Sequence, residues 1–207
     1  IDGEKVSCCI KRIKDEFPEI INPETSVSVE DFLLANHDRQ VDIVIGNPPY
    51  IRYEQIPKDK LDIYKRRYAT FYYRADIYVL FFEQSLRLLK SDGKHCFICA
   101  NRWMKNRYGR KLRELVARFY NLRTIINMEG VDAFDEEVLA YPAITLIENN
   151  SDRKFTKYAE TTDVETLGIH SFMSLPVPKS DEWNNVFNAE TSNILFNTIE
   201  AQGYRIG

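Results

Sequence analysis

The chain has 207 residues, 44% hydrophobic and 29% charged, with a formal net charge of −3 from 28 basic and 31 acidic side chains. That composition is ordinary for a globular protein and gives enough chain for one core and a small appendage, while the near-balanced charge excludes a uniformly basic nucleic-acid surface. No apolar run approaches the ~20 residues of a transmembrane helix and no signal-peptide pattern opens the chain, so a cytoplasmic protein with no membrane attachment is expected.

In chain order, residues 4–16 place Val6, Cys9, Ile10 and Ile13 on one stripe and predict a helix. Residues 27–29 and 41–45 predict two strands, the second running through Gly46 into Asn47-Pro48-Pro49-Tyr50. Residues 77–89 predict a helix stopped by Ser91-Asp92-Gly93, residues 95–100 a strand and residues 110–119 a further helix. Residues 124–128 and 143–147 predict two more strands, whose connection is too short for a crossover helix, so they are expected to pair antiparallel. Strands alternating with helices predict a doubly wound α/β sheet. Beyond residue 150 the periodicity weakens: residues 151–185 are expected to be a linker carrying one strand or hairpin, and residues 193–201 predict a short helix. There is no internal repeat and no low-complexity tract.

The Asn47-Pro48-Pro49-Tyr50 tetrapeptide carries the chemistry. At roughly 5% usage per residue type, a fixed tetrapeptide arises by chance in about one chain in a thousand of this length. Here it also follows a β-branched run, where ligands of open α/β sheets bind. An aromatic amino group is a poor nucleophile because its lone pair is delocalised into the ring. Two acceptors that take its two N–H bonds pull the nitrogen toward tetrahedral geometry, and the Asn47 side-chain oxygen and the Pro48 carbonyl are suited to be those acceptors. Pro48 and Pro49 lock the backbone, so the acceptors are preorganised. Tyr50 offers a flat face for an extracted base, worth roughly 1–3 kcal/mol. The plain alternative is a strand-ending turn, since Asn-Pro is a frequent turn starter.

The stretch Ile43–Tyr50 resembles motif IV of the amino-group methyltransferases that use S-adenosyl-L-methionine (SAM). The wider chain is similar to N6-adenine DNA methyltransferases of bacterial restriction-modification systems (Eco57I-like). Val29-Glu30-Asp31-Phe32-Leu33 resembles motif III, which implies that Asp31 accepts from the SAM adenine amino group and that Phe32 supplies an apolar wall. Tyr73–Phe82 resembles the helix entry after motif IV, and Cys96–Trp103 the next core strand and loop. Phe134 resembles the motif VIII aromatic that presses on a flipped adenine, and Ile1 the apolar residue that packs on the SAM adenine. The resemblance implies a Rossmann-like, mostly parallel sheet with an antiparallel edge. It also implies residues 1–150 as the catalytic part and 151–207 as a linker toward a target-recognition region. No G-x-G occurs among the eight glycines. A piece of a longer polypeptide, N-terminally incomplete and inactive alone, is therefore expected.

Local charge adds a second signal. Arg102, Lys105, Arg107, Arg110, Lys111 and Arg113 lie in twelve residues free of acids, beside Trp103 and Tyr108, and Lys65–Arg67 precede Tyr68, Tyr72, Tyr73 and Arg74. Phosphate contact plus base stacking needs that mixture, with Lys105 and Arg107 the chosen DNA-contacting residues; a solvated helix face is the plain alternative. Cys96 and Cys99 form a C-x-x-C, but three-residue spacing in a strand points them to opposite faces, so no metal is expected. The expected partners are double-stranded DNA with a flipped adenine and the remainder of the polypeptide or a partner subunit. Methyl transfer to a protein glutamine or an RNA base, or a non-catalytic DNA-binding or partner-binding role, are the alternatives. No carboxylate-and-lysine nuclease signature is present.

Overall fold

A computed structural model describes residues 3–20, 22, 27, 29–129, 141–150, 152, 155–163, 172–181 and 183. The chain divides into two compact units, Ile1–Asn36 and His37–Gly207. In the first, α1 (Gly3–Glu16) has Glu4 in its first turn and Lys14 in its last, the arrangement the helix dipole favours. Val6, Ile10 and Ile13 of the predicted stripe are half-exposed and Cys9 is exposed. The helix ends ahead of Phe17-Pro18, where proline forbids continuation. The strand expected at 27–29 does not form at Val27 and Val29. A β-branched run becomes a strand only when a neighbour takes its backbone groups, and no ladder among the described residues reaches them.

The second unit contains β1 (Val41–Gly46), α2 (Lys58–Arg67), α3 (Tyr78–Arg87), β2 (Leu89–Ala100), α4 (Arg102–Lys105) and α5 (Arg110–Phe119). It continues through β3 (Asn121–Asn127), β4 (Pro142–Glu148), β5 (Thr156–Glu160) and β6 (Met173–Leu175). They form one mixed sheet in the order β1-β2-β4-β3-β5-β6. The β1/β2 and β3/β5 pairs are parallel, the other three antiparallel, so β4 and β6 run against the other four. The expected antiparallel pairing of the 124–128 and 143–147 segments is present. However, β4 lies inside the sheet between β2 and β3, and the antiparallel edge is β6.

The helix expected to reach Leu89 stops at Arg87, because Leu89 already pairs with Val41. The next matched pair is Ile43 with Lys94, so Lys90–Gly93 bulge out opposite a single residue. Asp92 adopts φ 61° there, and a Cβ on Gly93 would come 2.9 Å from the Lys90 carbonyl oxygen. The Ser91-Asp92-Gly93 breaker therefore acts as a bulge within β2 rather than as a free turn.

Phe82 of α3 anchors the core, with its ring 5.0 Å from His95, 5.1 Å from Phe97 and 5.0 Å from Trp103. α5 packs beside α3 on that face, burying Leu112 and Val116. The opposite face is more open: Ile43 is 65% and Ile45 79% exposed, and their sheet neighbours Cys96, Ile98, Ile144 and Leu146 are half-exposed. A doubly wound sheet carries helices on both faces; of the described helices, α3 and α5 share one. Residues after 150, expected to be a linker with one strand or hairpin, add β5 and β6 to the sheet. Asn121 inside β3 donates to the Asp152 carbonyl at 2.8 Å, and Trp183 packs edge-on against Trp103 at 5.1 Å. The helix expected at 193–201 lies outside the described residues.

Candidate functional site

Since β1 and β2 are parallel and β4 runs between β2 and β3, the carboxyl ends of β1, β2 and β3 and the start of β4 share one sheet edge. Gly46 pairs with Phe97, Ala100 with Pro142 and Asn127 with Ala143. The loops beginning at Asn47, Asn101 and Met128 therefore leave from that edge, where open α/β sheets place their ligands. Asn47 and Pro49 are exposed, Pro48 is buried and Tyr50 is half-buried. A polar acceptor thus stands outermost on a loop whose next residue is wedged into the protein.

The Tyr50 ring is tilted 48° to that of Tyr78, centroids 6.2 Å apart. Burial pushes the Tyr50 hydroxyl well above the ordinary phenol range. Tyr50 is thus seated against Tyr78 with its hydroxyl end buried, rather than standing as a free plate. The Ile77 N–H donates to the Ile51 carbonyl at 2.9 Å, pinning the loop to the start of α3. Beyond it, the Arg74 guanidinium lies 5.8 Å from the Tyr53 ring centroid and pairs with Glu54. Tyr73 and Arg74 adopt φ of 46° and 56°, a left-handed pair that side chains rarely take and that exposes the Tyr73 ring.

A polar cluster that the sequence did not disclose lies beside this loop. The Tyr78 and Tyr108 hydroxyls are 2.8 Å apart, and the half-buried Asp76 carboxyl lies near enough to influence both. Burial raises the Asp76 carboxyl above its usual range, with the Tyr53 backbone the strongest opposing influence. Tyr108 lies thirty positions from Tyr78, and no periodicity joins them; only the fold does. A second buried pair, Asn101 to Asn127 at 3.1 Å, ties the loop after β2 to the end of β3, and the Asn101 N–H donates to the Tyr141 carbonyl at 2.8 Å.

The basic segment divides. Arg113 is buried, and its guanidinium donates to the carbonyls of Trp103 (2.6 Å), Asn106 (2.8 Å) and Asp181 (2.6 Å). Arg110 pairs with Glu114 and Asp181, and Lys111 with Glu114. Arg113 is thus taken up by the fold, while Arg110 and Lys111 stay half exposed in their ion pairs, so the face expected at 102–113 is interrupted at Arg113, and its first half carries Lys105 and Arg107. There Lys105 reaches Glu129 at 3.4 Å with both side chains substantially exposed, and the Arg107 guanidinium stacks 4.1 Å from the Tyr73 ring centroid. In the other cluster Tyr68 is buried, donating its hydroxyl to Gln84 at 3.1 Å, which removes it from any stacking role. Cys99 is buried and Cys96 half-buried on the same strand, and burial pushes both thiols up.

In the first unit, one Asp31 carboxylate oxygen accepts the Leu33 N–H at 3.1 Å, which orders a turn with Phe32 half-exposed beside it. An acceptor beside an apolar ring fits the adenine end of SAM. Ile1 and Phe134 lie outside the described residues. Among the described residues no cluster of His, Cys, Asp and Glu could hold a metal ion, and no helix is long and apolar enough to cross a membrane.

The sheet and its helices match the fold of a Listeria monocytogenes protein assigned to the class I S-adenosylmethionine-dependent methyltransferases, with a TM-score of 0.50. That match has 18% identity and covers 63% of this chain and 40% of the other. Residues 2–134 match the Eco57I restriction-modification methylase family, and the chain belongs to that family. It is 53% identical over 121 residues to the type II methyltransferase M.PaeR7I of Pseudomonas aeruginosa, and 42% identical over 143 residues to M.BstVI of Geobacillus stearothermophilus. Those matches cover 58% and 67% of this chain but span only 21% and 26% of the two relatives.

Proposed function

We propose that the chain carries the base-acting part of a SAM-dependent DNA methyltransferase that modifies the N6 amino group of adenine in a restriction-modification system. The observation that carries this reading is an exposed asparagine followed by a buried proline at the carboxyl end of β1, backed by a tyrosine seated against Tyr78. The target amino group is out of reach inside a base stack, so the adenine is flipped out at a cost of a few kcal/mol. The Asn47 side-chain oxygen and the Pro48 carbonyl accept its two N–H bonds, and Tyr50 stacks on one face, with Phe134 on the other. Asp31, Phe32 and Ile1 would hold the adenine end of SAM, which supplies an electrophilic methyl group. Lys105 and Arg107 contact the DNA backbone. The remaining polypeptide, beyond the fifth to a quarter of its relatives' length that this chain spans, supplies the rest of the cofactor site and the choice of DNA sequence. Such an enzyme works in the cytoplasm, where its substrate is.

The test is tritiated-methyl transfer by the protein expressed from its complete coding sequence, with adenine-containing duplex DNA, a translation release factor and RNA as parallel substrates. Label in DNA adenine supports the reading; label only in the release factor or the RNA transfers the chemistry to that substrate. Asn47→Ala is expected to lower the rate by about 10²–10³ while SAM binding persists, because Asn47 touches only the nitrogen whose charge develops. Undiminished transfer by Asn47→Ala would remove the proposed mechanism.

A further inference from the structure

Three segments meet behind the motif tyrosine. Tyr108 stands beside Arg107 in a tight turn after α4 whose shape is dictated at Gly109, where an added Cβ would lie 1.8 Å from the Trp103 carbonyl oxygen. That turn therefore moves with Trp103 in the core rather than independently. From the turn, the Tyr108 hydroxyl reaches the Tyr78 hydroxyl at 2.8 Å, with the Asp76 carboxyl nearby. The Tyr78 ring is in turn the one Tyr50 leans on. Tyr78 is 1% exposed, so water does not compete for its hydroxyl.

We propose that Tyr108 is a positioning residue for Tyr50, through which the Lys105–Arg107 turn, on meeting the DNA backbone, sets the aromatic face that receives the flipped base. Tyr108 touches neither base nor cofactor; it acts through Tyr78. This rests on the DNA-methyltransferase reading above. It assigns a role to two side chains that the transfer chemistry does not use, and it explains why a part-buried hydroxyl pair is kept beside the motif loop.

The experiment compares the complete enzyme with Tyr108→Phe, Tyr78→Phe and the double variant, each of which keeps its rings and loses hydroxyls. The substrate is duplex DNA with the target adenine, or 2-aminopurine in its place to report base extrusion. Each single variant is expected to lower kcat about tenfold, the scale of one lost buried hydrogen bond, while KM for DNA stays within about twofold. Both should also lower the 2-aminopurine signal at saturating enzyme, and the double variant should be no slower than either single, because the two hydroxyls work as one unit. A wild-type kcat in Tyr108→Phe or strictly multiplicative losses in the double variant would each overturn the positioning role. A complete enzyme that labels no DNA adenine sinks the methyltransferase reading and this inference with it, before any variant is compared. An active enzyme indifferent to Tyr108→Phe sinks the inference alone.

Discussion

His95 lies wholly out of water, its ring 5.0 Å from Phe82 and 4.0 Å from Phe97. Burial lowers its pKa from 6.5 to about 3, so the folded protein keeps it neutral while the unfolded chain protonates it below about 6.5. Between those values the unfolded state binds the extra proton, and stability falls as pH falls. The contribution is complete above pH 6.5, declines by about 1.4 kcal/mol per pH unit below it, and levels off near the folded pKa. His95→Phe should therefore flatten the dependence of the melting temperature on pH between 4 and 6.5. An equally steep profile in that variant would assign the acid sensitivity elsewhere. At the same scale, the motif could be read from sequence because its residues act as neighbours in the chain: Asn47, Pro48 and Tyr50 are spaced by backbone geometry alone. The Asp76–Tyr108–Tyr78 cluster was illegible because its members meet only after α3 and the turn before α5 have packed.

Among the elements, helix α5 forms over the residues predicted, since its apolar stripe has helical spacing and no breaker intervenes. What its charges do could not be read from the same stripe. Arg113 looks alike in sequence to Lys105 and Arg107, yet three backbone carbonyls turn it into a fold contact, while Arg110 and Lys111 carry surface ion pairs to Glu114 and Asp181. A count of acids within twelve residues misses Glu114 by one position and Asp181 by nearly seventy. Two outcomes separate the groups. Lys105→Ala with Arg107→Ala should weaken binding to all DNA sequences about equally and flatten the salt dependence, by roughly one unit of log–log slope per phosphate lost. Arg113→Ala should leave that slope alone and instead lower the melting temperature by roughly 5–10 °C, as expected for losing charge-assisted hydrogen bonds in a chain of this size. Binding isotherms across a salt series, with thermal melts alongside, decide between them. The strand at 27–29 was overread for the opposite reason: β propensity is local, but a strand exists only by its neighbour.

For the whole molecule, the sheet order has a consequence for how the chain is made. β2 and β3 are separated in the sheet by β4, which is synthesised after both, so neither closes its inner edge while the chain is still emerging. When a ribosome has released residues up to about 130, β2 pairs only with β1, and β3 has no neighbour from the chain already made. Arrival of Pro142–Glu148 then supplies seven pairings to β2 and six to β3 in one step. Such non-local closure is slow relative to helix formation and exposes apolar strand edges meanwhile. Stalled nascent chains ending near residue 130 outside the tunnel should therefore be cleaved readily by protease within β2 and β3, and chains released past residue 150 should resist. Equal resistance at both lengths would mean that β2 and β3 are protected without β4. A strand inserted last between two earlier ones acts as a timed latch, and until it arrives the growing chain must be kept from pairing with the wrong edge.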